Sequence, residues 1–289
     1  MKALPNTTDL PVLLPVALPA PRQEQTYGLA ARMFTPKVAF GLALVLALSV
    51  GLAEAQAQSA AAPREGVLAI MVKWAPLLFQ GFLFNILISF MSMAIGTVAG
   101  VILGLAQISL FRPVRRTAWY ATQFFRNAPW LVLLFYCMFL LPFEVPLFGF
   151  AVPLPAWFKA VIGLSLPVMA NVAEVVRGGI QSIPLTQWES AEALAFTRRQ
   201  TLWMIILPQC VKRMLPPWMN LYAILTMATT LISVVGIQDG MTLTRAALVA
   251  EARTDLFIPM YLMLLSWFFL YCYPIARWTV ALEQRFAVK

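Results

Sequence analysis

The sequence has no histidine and few charges, with 12 acidic residues among 289 and a charged fraction of 11%. Histidine is the side chain best suited to proton transfer near neutral pH, and the acidic residues form no pair beside a nucleophile. Cysteine is also scarce. Cys137, Cys210 and Cys272 lie in or beside different apolar runs without the spacing of metal ligands, which favours buried thiols over a disulfide or a metal site. The residues therefore predict neither bond-making chemistry nor a cofactor.

The phosphate-binding pattern G-x-x-x-x-G-K-[ST] is absent from the sequence as well. In proteins that use this pattern, a glycine-rich loop and its lysine bind the phosphates of a nucleotide. A chain without it has no phosphate-binding loop of its own. If ATP drives the function of this protein, that energy must enter through another chain.

Hydrophobic residues, by contrast, make up 61% of the sequence, far above the proportion in a soluble domain. Runs of about 20 residues with almost no charge are long enough to cross the hydrocarbon of a membrane as helices. Five runs qualify, and a shorter sixth lies at Val38–Ala53. The five are 77–108, 118–141, 157–176, 217–237 and 256–281. The sequence therefore predicts an all-α integral membrane protein.

Lysine and arginine are distributed unevenly among the connecting segments. If the loop after the run 77–108 lies in the cytoplasm, fifteen of the 21 basic residues fall on that side, five fall outside, and Arg126 lies near or within a span. Basic residues accumulate in cytoplasmic loops, so this orientation is favoured. It places residues 178–216, hereafter the polar segment, in the cytoplasm. This topology and anionic headgroups explain the net charge of +9, so no nucleic-acid partner is needed.

The N-terminal part of the chain allows two interpretations. The apolar run Val38–Ala53 follows basic residues and precedes Ala55–Ala57, an A-x-A pattern typical of signal-peptide cleavage. Residues 38–57 are therefore either a hydrophobic leader that is removed or an extra transmembrane helix. Both alternatives put Gly66 outside. Residues 1–37 are rich in proline and polar groups, and this composition predicts a disordered N-terminus.

Three glycines recur at every fourth position of the first long run, at Gly96, Gly100 and Gly104. Residues at this spacing lie on one face of a helix, and glycines there let another backbone approach closely. Packing inside one subunit is favoured over a contact between subunits.

The second run carries a charge just before a proline, in Phe124–Pro129 (FFRNAP). Burying an unpaired charge in lipid costs on the order of 3 kcal/mol, so Arg126 is expected to face a cavity or a partner, or else to reach the headgroups. Both alternatives remain open. Further along, Glu174 and Arg177 are spaced to form an ion pair on one helix face, which we expect to be structural and not a gate.

The polar segment contains two patterns that fit a capping box, in which a hydroxyl caps a helix and a side chain three residues later reaches back. They are Thr186 with Glu189, and Thr197 with Gln200. The patterns predict two short helices with a turn between them. The first would be small, partly apolar and partly acidic, and suited to a shallow groove on a soluble partner. An amphipathic connector lying on the headgroups is the alternative.

The polar segment also carries a family resemblance. Residues Gln187–Leu194 (QWESAEAL), followed by Leu207–Gln209 (LPQ), resemble the EAA loop of permease subunits in binding-protein-dependent ABC importers. The resemblance continues in order over residues 77–285, and the flanking segments resemble the polar-amino-acid branch of that family. The flanking motifs are Phe125–Pro129 (FRNAP), Ala173–Pro184 (AEVVRGGIQSIP), Pro216-Pro217, Ser233–Gly236 (SVVG) and Leu243–Ala247 (LTRAA).

This resemblance implies a type I ABC importer permease with a MetI-like fold of five core transmembrane helices, besides the possible N-terminal helix or signal-like segment. It implies a location in the bacterial inner membrane, a second permease subunit identical or related to this one, and a periplasmic binding protein that delivers a polar amino acid. The resemblance also implies that ATP hydrolysis belongs to a separate cytoplasmic subunit and that this chain is not itself an enzyme. A stand-alone secondary transporter or channel is the alternative, although it would need intramembrane carboxylates or an inverted repeat.

The resemblance also implies roles for particular residues. Contacts with the ATPase are expected at Gln187, Glu189, Ala191, Ala193, Leu194 and Ala195. Candidates for the substrate pathway are Arg126, Thr229, Thr230, Ser233 and Asp239. Asp239 could instead be a solvated loop charge, and the hydroxyl groups could bond back to their own helix or to a neighbour.

The sequence departs from the family pattern at three places. Ala195 stands where a glycine commonly ends the first EAA helix, and a left-handed conformation costs a non-glycine residue on the order of 1 kcal/mol. Either the helix continues there, or the turn has another geometry. Thr186 replaces a frequent glycine without harm, because threonine caps helices well. Met227 and Ala228 stand where a lysine and a small polar or acidic residue are frequent, which makes this part of the pathway less polar.

Overall fold

The computed structural model describes residues 36–58, 65–147 and 150–286. It consists mainly of helices, as the sequence predicts. The helices are α1 Pro36–Gln58, α2 Val67–Gln107, α3 Arg112–Asn127, α4 Trp130–Leu140, α5 Ala156–Gln181, α6 Leu185–Ala193, α7 Arg198–Gln200, α8 Leu207–Ala228, α9 Gly240–Glu251 and α10 Phe257–Phe286. A π-helical segment covers Thr201–Ile206 and a 3-10 segment covers Thr229–Val235. The sequence predicts disorder for residues 1–37. Residues 1–35 lie outside the described part of the chain.

Four helical stretches in the described residues are long and apolar enough to cross a membrane: Val67–Gln107, Ala156–Gln181, Arg198–Val235 and Phe257–Gln284. Large apolar side chains cover their outer surfaces. Phe90, Ile102 and Trp278, for example, are about two-thirds exposed, at 67%, 65% and 65%. A surface of this kind is unfavourable in water and favourable in lipid. The protein is therefore a multi-pass membrane protein.

The run 118–141 is not one spanning helix, so that prediction is wrong. Helix α3 ends at Asn127, Ala128 is extended with a ψ of 136°, and α4 begins after Pro129. Proline disfavours the helical conformation of the residue before it, which explains the break at Ala128. The 11 residues of α4 measure about 16 Å, roughly half of the hydrocarbon thickness.

Helices α2 and α5 pack closely along the three glycines predicted to line one face. A Cβ atom added to Gly100 would lie 2.6 Å from Cβ of Val172, and one added to Gly104 would lie 2.8 Å from the carbonyl oxygen of Ala173. The equivalent atom on Gly96 would also meet α5 at 2.5 Å. The glycines therefore serve packing inside the subunit, which confirms the favoured interpretation.

Helix α5 is the central helix of the bundle. About two-thirds of its most apolar 18-residue stretch is buried inside the protein, against one-third of the corresponding stretches of α2 and α10. It contacts α2, α3, α4 and α8, and its Val161, Leu164 and Val168 have no exposed surface. The polar segment, which continues the chain from the end of α5, is therefore attached to the core of the molecule.

The loop after α2 and the polar segment meet at one end of the bundle, hereafter the inner end. A terminal nitrogen of Arg198 donates to the carbonyl oxygen of Ile108 at 3.3 Å, and Arg213 donates to the carbonyl oxygen of Ser182 at 2.7 Å. These contacts agree with the charge distribution, which required both segments to lie on the same side of the membrane.

A second group of polar contacts marks the opposite, outer end. Arg253 donates to the carbonyl oxygen of Glu65 at 2.6 Å, which joins the start of α2 to the loop after α9. Trp74 and Lys73 donate to the Glu251 carboxylate at 2.8 and 2.9 Å, and they hold the pKa of this carboxyl below its ordinary value. Two of the five basic residues expected outside, Lys73 and Arg253, thus form ion pairs with Glu251 and Asp255.

The connection 142–155 contains Pro142, Pro146, Pro153 and Pro155, which disfavour a helix. It contains two short strands, β1 Glu144–Leu147 and β2 Phe150–Pro153, paired antiparallel with Glu144 opposite Pro153. Buried Lys159 stabilises this region, because its ammonium group donates to the carbonyl oxygen of Leu141 at 2.9 Å. The strand pairing itself was not predicted.

Substitution of Gly100 by alanine is expected to destabilise the protein. Its Cβ would lie 2.6 Å from Val172 and 2.7 Å from the carbonyl oxygen of Met169, which belongs to the backbone and cannot move aside. The resulting overpacking costs about 1–3 kcal/mol, which outweighs the gain of about 1 kcal/mol in helix propensity. A Cβ added to Gly178 meets nothing within 4 Å, so Gly178→Ala should stabilise. Thermal unfolding of the purified variants tests the two opposite signs, and a destabilised Gly178→Ala with an unchanged Gly100→Ala would contradict the packing.

Candidate functional site

The polar segment leaves α5 at the inner end and turns into α6 at Pro184. Pro184 is the N-cap residue of α6, and Thr186 lies within the first helical turn. The predicted capping box of Thr186 with Glu189 is therefore wrong. Proline has a restricted φ, here −54°, which suits the residue just before a helix, and no side chain caps the first amides of α6.

Helix α6 presents most of the predicted coupling residues on its surface. Ala191 is buried, with 2% of its surface exposed, and packs towards the protein. Leu194 lies at the end of the helix with 71% of its surface exposed, and Leu185 at the start is 69% exposed. The other coupling candidates are exposed too: Gln187, Glu189, Ala193 and Ala195. The exposed face therefore combines apolar side chains with the Glu189 carboxylate.

The chain reverses direction at Ala195, in a left-handed turn with φ of +59°. The amide of Phe196 donates to the carbonyl oxygen of Ala191 at 3.0 Å, and the amide of Ala195 donates to that of Glu192 at 2.9 Å. These two bonds form a Schellman motif, whose left-handed position is usually glycine. Both alternatives left open by the sequence are therefore wrong: α6 ends here, and the turn keeps the left-handed geometry at Ala195 although the Cβ of alanine disfavours it.

The second capping box is confirmed. The amide of Gln200 donates to the Thr197 hydroxyl at 3.4 Å, and the Gln200 side chain accepts the amide of Thr197 at 2.9 Å. The helix that begins there is not short, however. It continues through the π-helical segment, α8 and the 3-10 segment to Val235, so the prediction of a second short helix is wrong. Pro208 lacks an N–H and its ring displaces the carbonyl group four residues earlier, which explains the π-helical geometry just before it.

Two of the pathway candidates, Thr229 and Asp239, belong to a buried polar cluster towards the outer end of this long helix. Asn85 of α2 donates to the Thr229 hydroxyl and to the Asp239 carboxylate, both at 3.1 Å, and accepts the amide of Gly240 at 3.0 Å. The other carboxylate oxygen of Asp239 accepts the amide of Thr242 at 2.9 Å and caps α9. Asp239 has no exposed surface, so its alternative interpretation as a solvated loop charge is wrong.

The hydroxyl groups of the 3-10 segment bond back to their own helix, as the second interpretation predicted. Thr229, Thr230 and Ser233 donate to the carbonyl oxygens three residues earlier, at 2.7, 2.9 and 2.8 Å. Thr229 is fully buried, whereas Thr230 lines a cavity. Asn85 was missed from the sequence, although an asparagine inside an apolar run is itself a signal of a buried polar contact.

Arg126 lines a polar cavity of about 510 Å³ between α3, α5 and α8. Its guanidinium group lies 3.6 Å from the Glu174 carboxylate, and Arg177 donates to the same carboxylate oxygen at 2.6 Å. The structure thus supports the cavity alternative for Arg126 and confirms the ion pair of Glu174 with Arg177. Arg213 and Asn220 line the same cavity and were not singled out from the sequence.

A second cavity, of about 550 Å³, lies between α8 and α10 and is lined mainly by apolar and aromatic side chains. It contains Met227 and Thr230, and it shares Asn220 and Ile224 with the polar cavity. Cys272 lines it as well and is half-buried, while Cys137 and Cys210 are buried elsewhere. The sequence predicts that the pathway is less polar around Met227. The whole cavity that Met227 lines is mainly apolar.

Comparison with known proteins assigns the chain to a family. Residues 96–288 match the model of the binding-protein-dependent transport system inner membrane component. The chain is 32% identical over 212 residues to the probable amino-acid ABC transporter permease protein YckA of Bacillus subtilis, which covers 73% of this chain and 90% of YckA. It is 34% identical over 179 residues to the arginine transport system permease protein ArtQ of Bacillus subtilis, covering 62% of this chain and 78% of ArtQ.

Solved structures support the same fold. A crystal structure of an amino acid ABC transporter with histidines superposes with a TM-score of 0.66 at 26% identity, over 77% of this chain and all of that chain. The MetNI methionine ABC transporter, in inward facing conformations, superposes with a TM-score of 0.53 at 17% identity, over 76% of this chain and 99% of that chain, and shows the fold alone. The type I permease fold expected from the resemblance is confirmed. The chain belongs to the family of binding-protein-dependent transport system inner membrane components and is a permease subunit of an ABC importer.

Proposed function

We propose that this permease subunit imports amino acids across a bacterial inner membrane and couples to a separate cytoplasmic ATPase through α6. A second permease, identical or related, completes the pathway, and a periplasmic binding protein delivers the substrate. The exposed face of α6 at the inner end carries this proposal. A stand-alone secondary transporter or channel has no comparable support.

The coupling role is supported by what α6 exposes. Leu185 and Leu194 are apolar and about 70% exposed at the two ends of the helix, with Glu189 between them. Apolar side chains that remain exposed on a short helix favour contact with a partner, and a carboxylate at the centre favours a basic group on that partner. The Schellman turn fixes how the helix projects, because it joins α6 rigidly to the start of the long helix.

The amino-acid assignment is supported by the relatives, since YckA and ArtQ are both named as amino-acid permeases. Among the pathway candidates, Arg126 and Thr230 line cavities and are proposed to face the substrate. Thr229, Ser233 and Asp239 are proposed to act behind them, because their bonds hold the 3-10 segment and the start of α9 in place.

We further propose that residues 36–58 are a retained helix and not a removed leader. Val50 and Ala53 of α1 are buried in the same apolar cluster as Val67 and Leu248. The Glu54 carboxylate accepts the amide of Leu68 at 2.9 Å, in the first turn of α2, where unpaired amides and the helix dipole favour a negative charge. Cleavage after Ala57 would release α1 from these contacts.

Reversal of the charge at Glu189 tests the coupling surface. We expect Glu189→Lys to lose co-purification with an ATP-binding chain and to lose ATP-driven amino-acid uptake, while the permease inserts and unfolds normally. Glu144→Lys is the matched control, because Glu144 is also an exposed carboxylate and lies on the β1–β2 hairpin, which the orientation favoured by the charge distribution places outside. Normal co-purification and uptake by Glu189→Lys would show that α6 is not the coupling surface.

The turn at Ala195 gives a second test. Glycine pays no penalty in the left-handed conformation, so Ala195→Gly should stabilise the inner end by up to about 1 kcal/mol and leave coupling intact. Ala195→Val should destabilise it, because a branched side chain at this φ is more strained. Hydrogen exchange of the α6 amides measures the effect. Slower exchange in the valine variant than in the glycine variant would be inconsistent with a left-handed turn.

Retention of α1 is tested on the protein purified from its membrane. Peptide mapping by mass spectrometry should recover peptides that span Ala57, and Glu54→Ala should lower the free energy of unfolding by about 1 kcal/mol, as for the loss of a helix cap. A mature N-terminus at residue 58 would refute retention.

A further inference from the structure

Helix α3 carries a basic face at the inner end of the molecule. Arg112, Arg115 and Arg116 are separated by three and four residues from the first, so their side chains lie on one face of the helix. All three are exposed, as is every residue from Phe111 to Thr117. The start of α3 is therefore largely uncovered within the described part of the chain.

The three guanidinium groups of this basic face have no partner among the residues that the structure describes. None of them forms an ion pair, a side-chain hydrogen bond or a cation–π contact there. Arg126, Arg177 and Arg253, in contrast, each lie beside a carboxylate. Like charges on one helix face repel each other, so the cluster favours an anionic partner from outside the chain.

An exposed apolar face lies beside the basic face. Tyr120 and Phe124 are four residues apart and both 66% exposed, and Phe111, just before the helix, is 64% exposed. Aromatic rings are enriched where hydrocarbon meets the head groups of a membrane. A helix that combines a basic face with exposed apolar side chains is typical of a segment that lies along the membrane surface.

Contacts with the bundle fix the position of α3. The side chain of Gln107, at the end of α2, donates to the buried Thr122 hydroxyl at 2.8 Å. Because the apolar run 77–108 ends in the loop that follows, α3 begins at the level of the inner membrane surface. Arg198 donates to the carbonyl oxygen of Ile108 in this loop, and its guanidinium group lies 5.8 Å from the centre of the Trp188 ring. The start of α3 is thus connected to α6.

We propose that the basic face of α3 binds the phosphate groups of anionic phospholipids in the inner leaflet, while Tyr120 and Phe124 lie against their acyl chains. Guanidinium groups bind phosphate oxygens with paired hydrogen bonds, so neighbouring arginines suit a lipid head group. Bound lipid holds the loop before α3 in place and, through Arg198, supports the start of the polar segment. The proposal goes beyond the proposed function, and its test does not depend on transport.

The two faces together favour a membrane over other anionic partners. A soluble anion would match the basic face and leave Tyr120 and Phe124 in water. An acidic protein surface, such as one on an ATP-binding subunit, would likewise match only the charges. A lipid surface satisfies both faces, because its head groups lie directly beside its hydrocarbon.

Lipid binding is measured by native mass spectrometry on the full chain, together with any subunits that remain associated, in a non-ionic detergent. Phosphatidylglycerol and phosphatidylcholine with the same acyl chains are titrated, and the ratio of their affinities is compared among variants. The test variant is Arg112→Gln with Arg116→Gln, and Arg112→Lys with Arg116→Lys keeps both charges. Arg199→Gln with Lys212→Gln is the matched control, because it removes two exposed basic residues that lie outside α3.

The wild-type protein should bind phosphatidylglycerol more tightly than phosphatidylcholine. One basic residue near an anionic membrane surface contributes roughly a fivefold factor, so the glutamine variant should bind phosphatidylglycerol roughly 25-fold more weakly, with phosphatidylcholine unchanged. The lysine variant and the matched control should retain the preference. Tyr120→Ser with Phe124→Ser should weaken both lipids by a similar factor, because these side chains contact the acyl chains.

Several results would overturn the proposal. Equal affinity of the wild-type protein for both lipids, or an unchanged preference in the glutamine variant, would show that the basic face does not bind lipid. The same loss of preference in the lysine variant would show that charge is not its source. Displacement of phosphatidylglycerol by an equal concentration of glycerol 3-phosphate would indicate a site for a soluble anion. Loss of the ATP-binding subunit from the glutamine variant, with the lipid preference intact, would assign the face to that subunit.

Discussion

The close contact between α2 and α5 is the constraint on which the rest of the molecule depends. Membrane helices gain little from burying apolar surface against each other, because lipid is equally apolar, so they depend on close packing. Gly96, Gly100 and Gly104 provide it by removing the side chains that would hold the two backbones apart. The contact makes α5 the fixed centre of the bundle, and both the polar cavity and the polar segment are attached to α5.

The end of α5 connects the two proposed sites. Glu174 and Arg177 form an ion pair near this end, and α6 begins after Pro184. The chain then returns as one long helix from Arg198 to Val235, which reaches from the turn after α6 to the buried cluster around Asn85. Its geometry is irregular at Thr201–Ile206, near α6, and at Thr229–Val235, beside the cluster.

Much of this architecture depends on local patterns that the sequence displays directly. Four of the five long apolar runs, the glycine spacing and the capping box at Thr197 depend on neighbouring residues, and these predictions are confirmed. The errors arose where a proline set a helix boundary that the local pattern of hydroxyl or apolar residues did not indicate. Pro184 starts α6 in place of Thr186, and Pro129 divides what hydropathy alone presents as one span. Backbone conformation at Ala195 was undecided, since the sequence shows only that an alanine occupies a position typical of glycine.

The polar sites were harder to predict, because they depend on residues distant in the sequence. Asp239 resembles a loop charge until Asn85, 154 positions earlier, is placed beside it. Arg126 and Glu174 could be judged only separately, and the cavity between them needs α3, α5 and α8 in place. Hydropathy also could not decide the fate of residues 36–58, whereas the contact of Glu54 with α2 favours a retained helix.

The central claim, that α6 is the surface on which an ATPase acts, is tested most directly by crosslinking. A single cysteine is placed at Leu194 in a chain whose three native cysteines are replaced by serine, and the membranes are treated with a short bifunctional thiol reagent. The account predicts a crosslink between Leu194→Cys and a cytoplasmic ATP-binding subunit, in a yield that changes when nucleotide is added, and none from Glu144→Cys on the outer hairpin. Absence of any such crosslink from Leu194→Cys, in an importer that still transports, would contradict it.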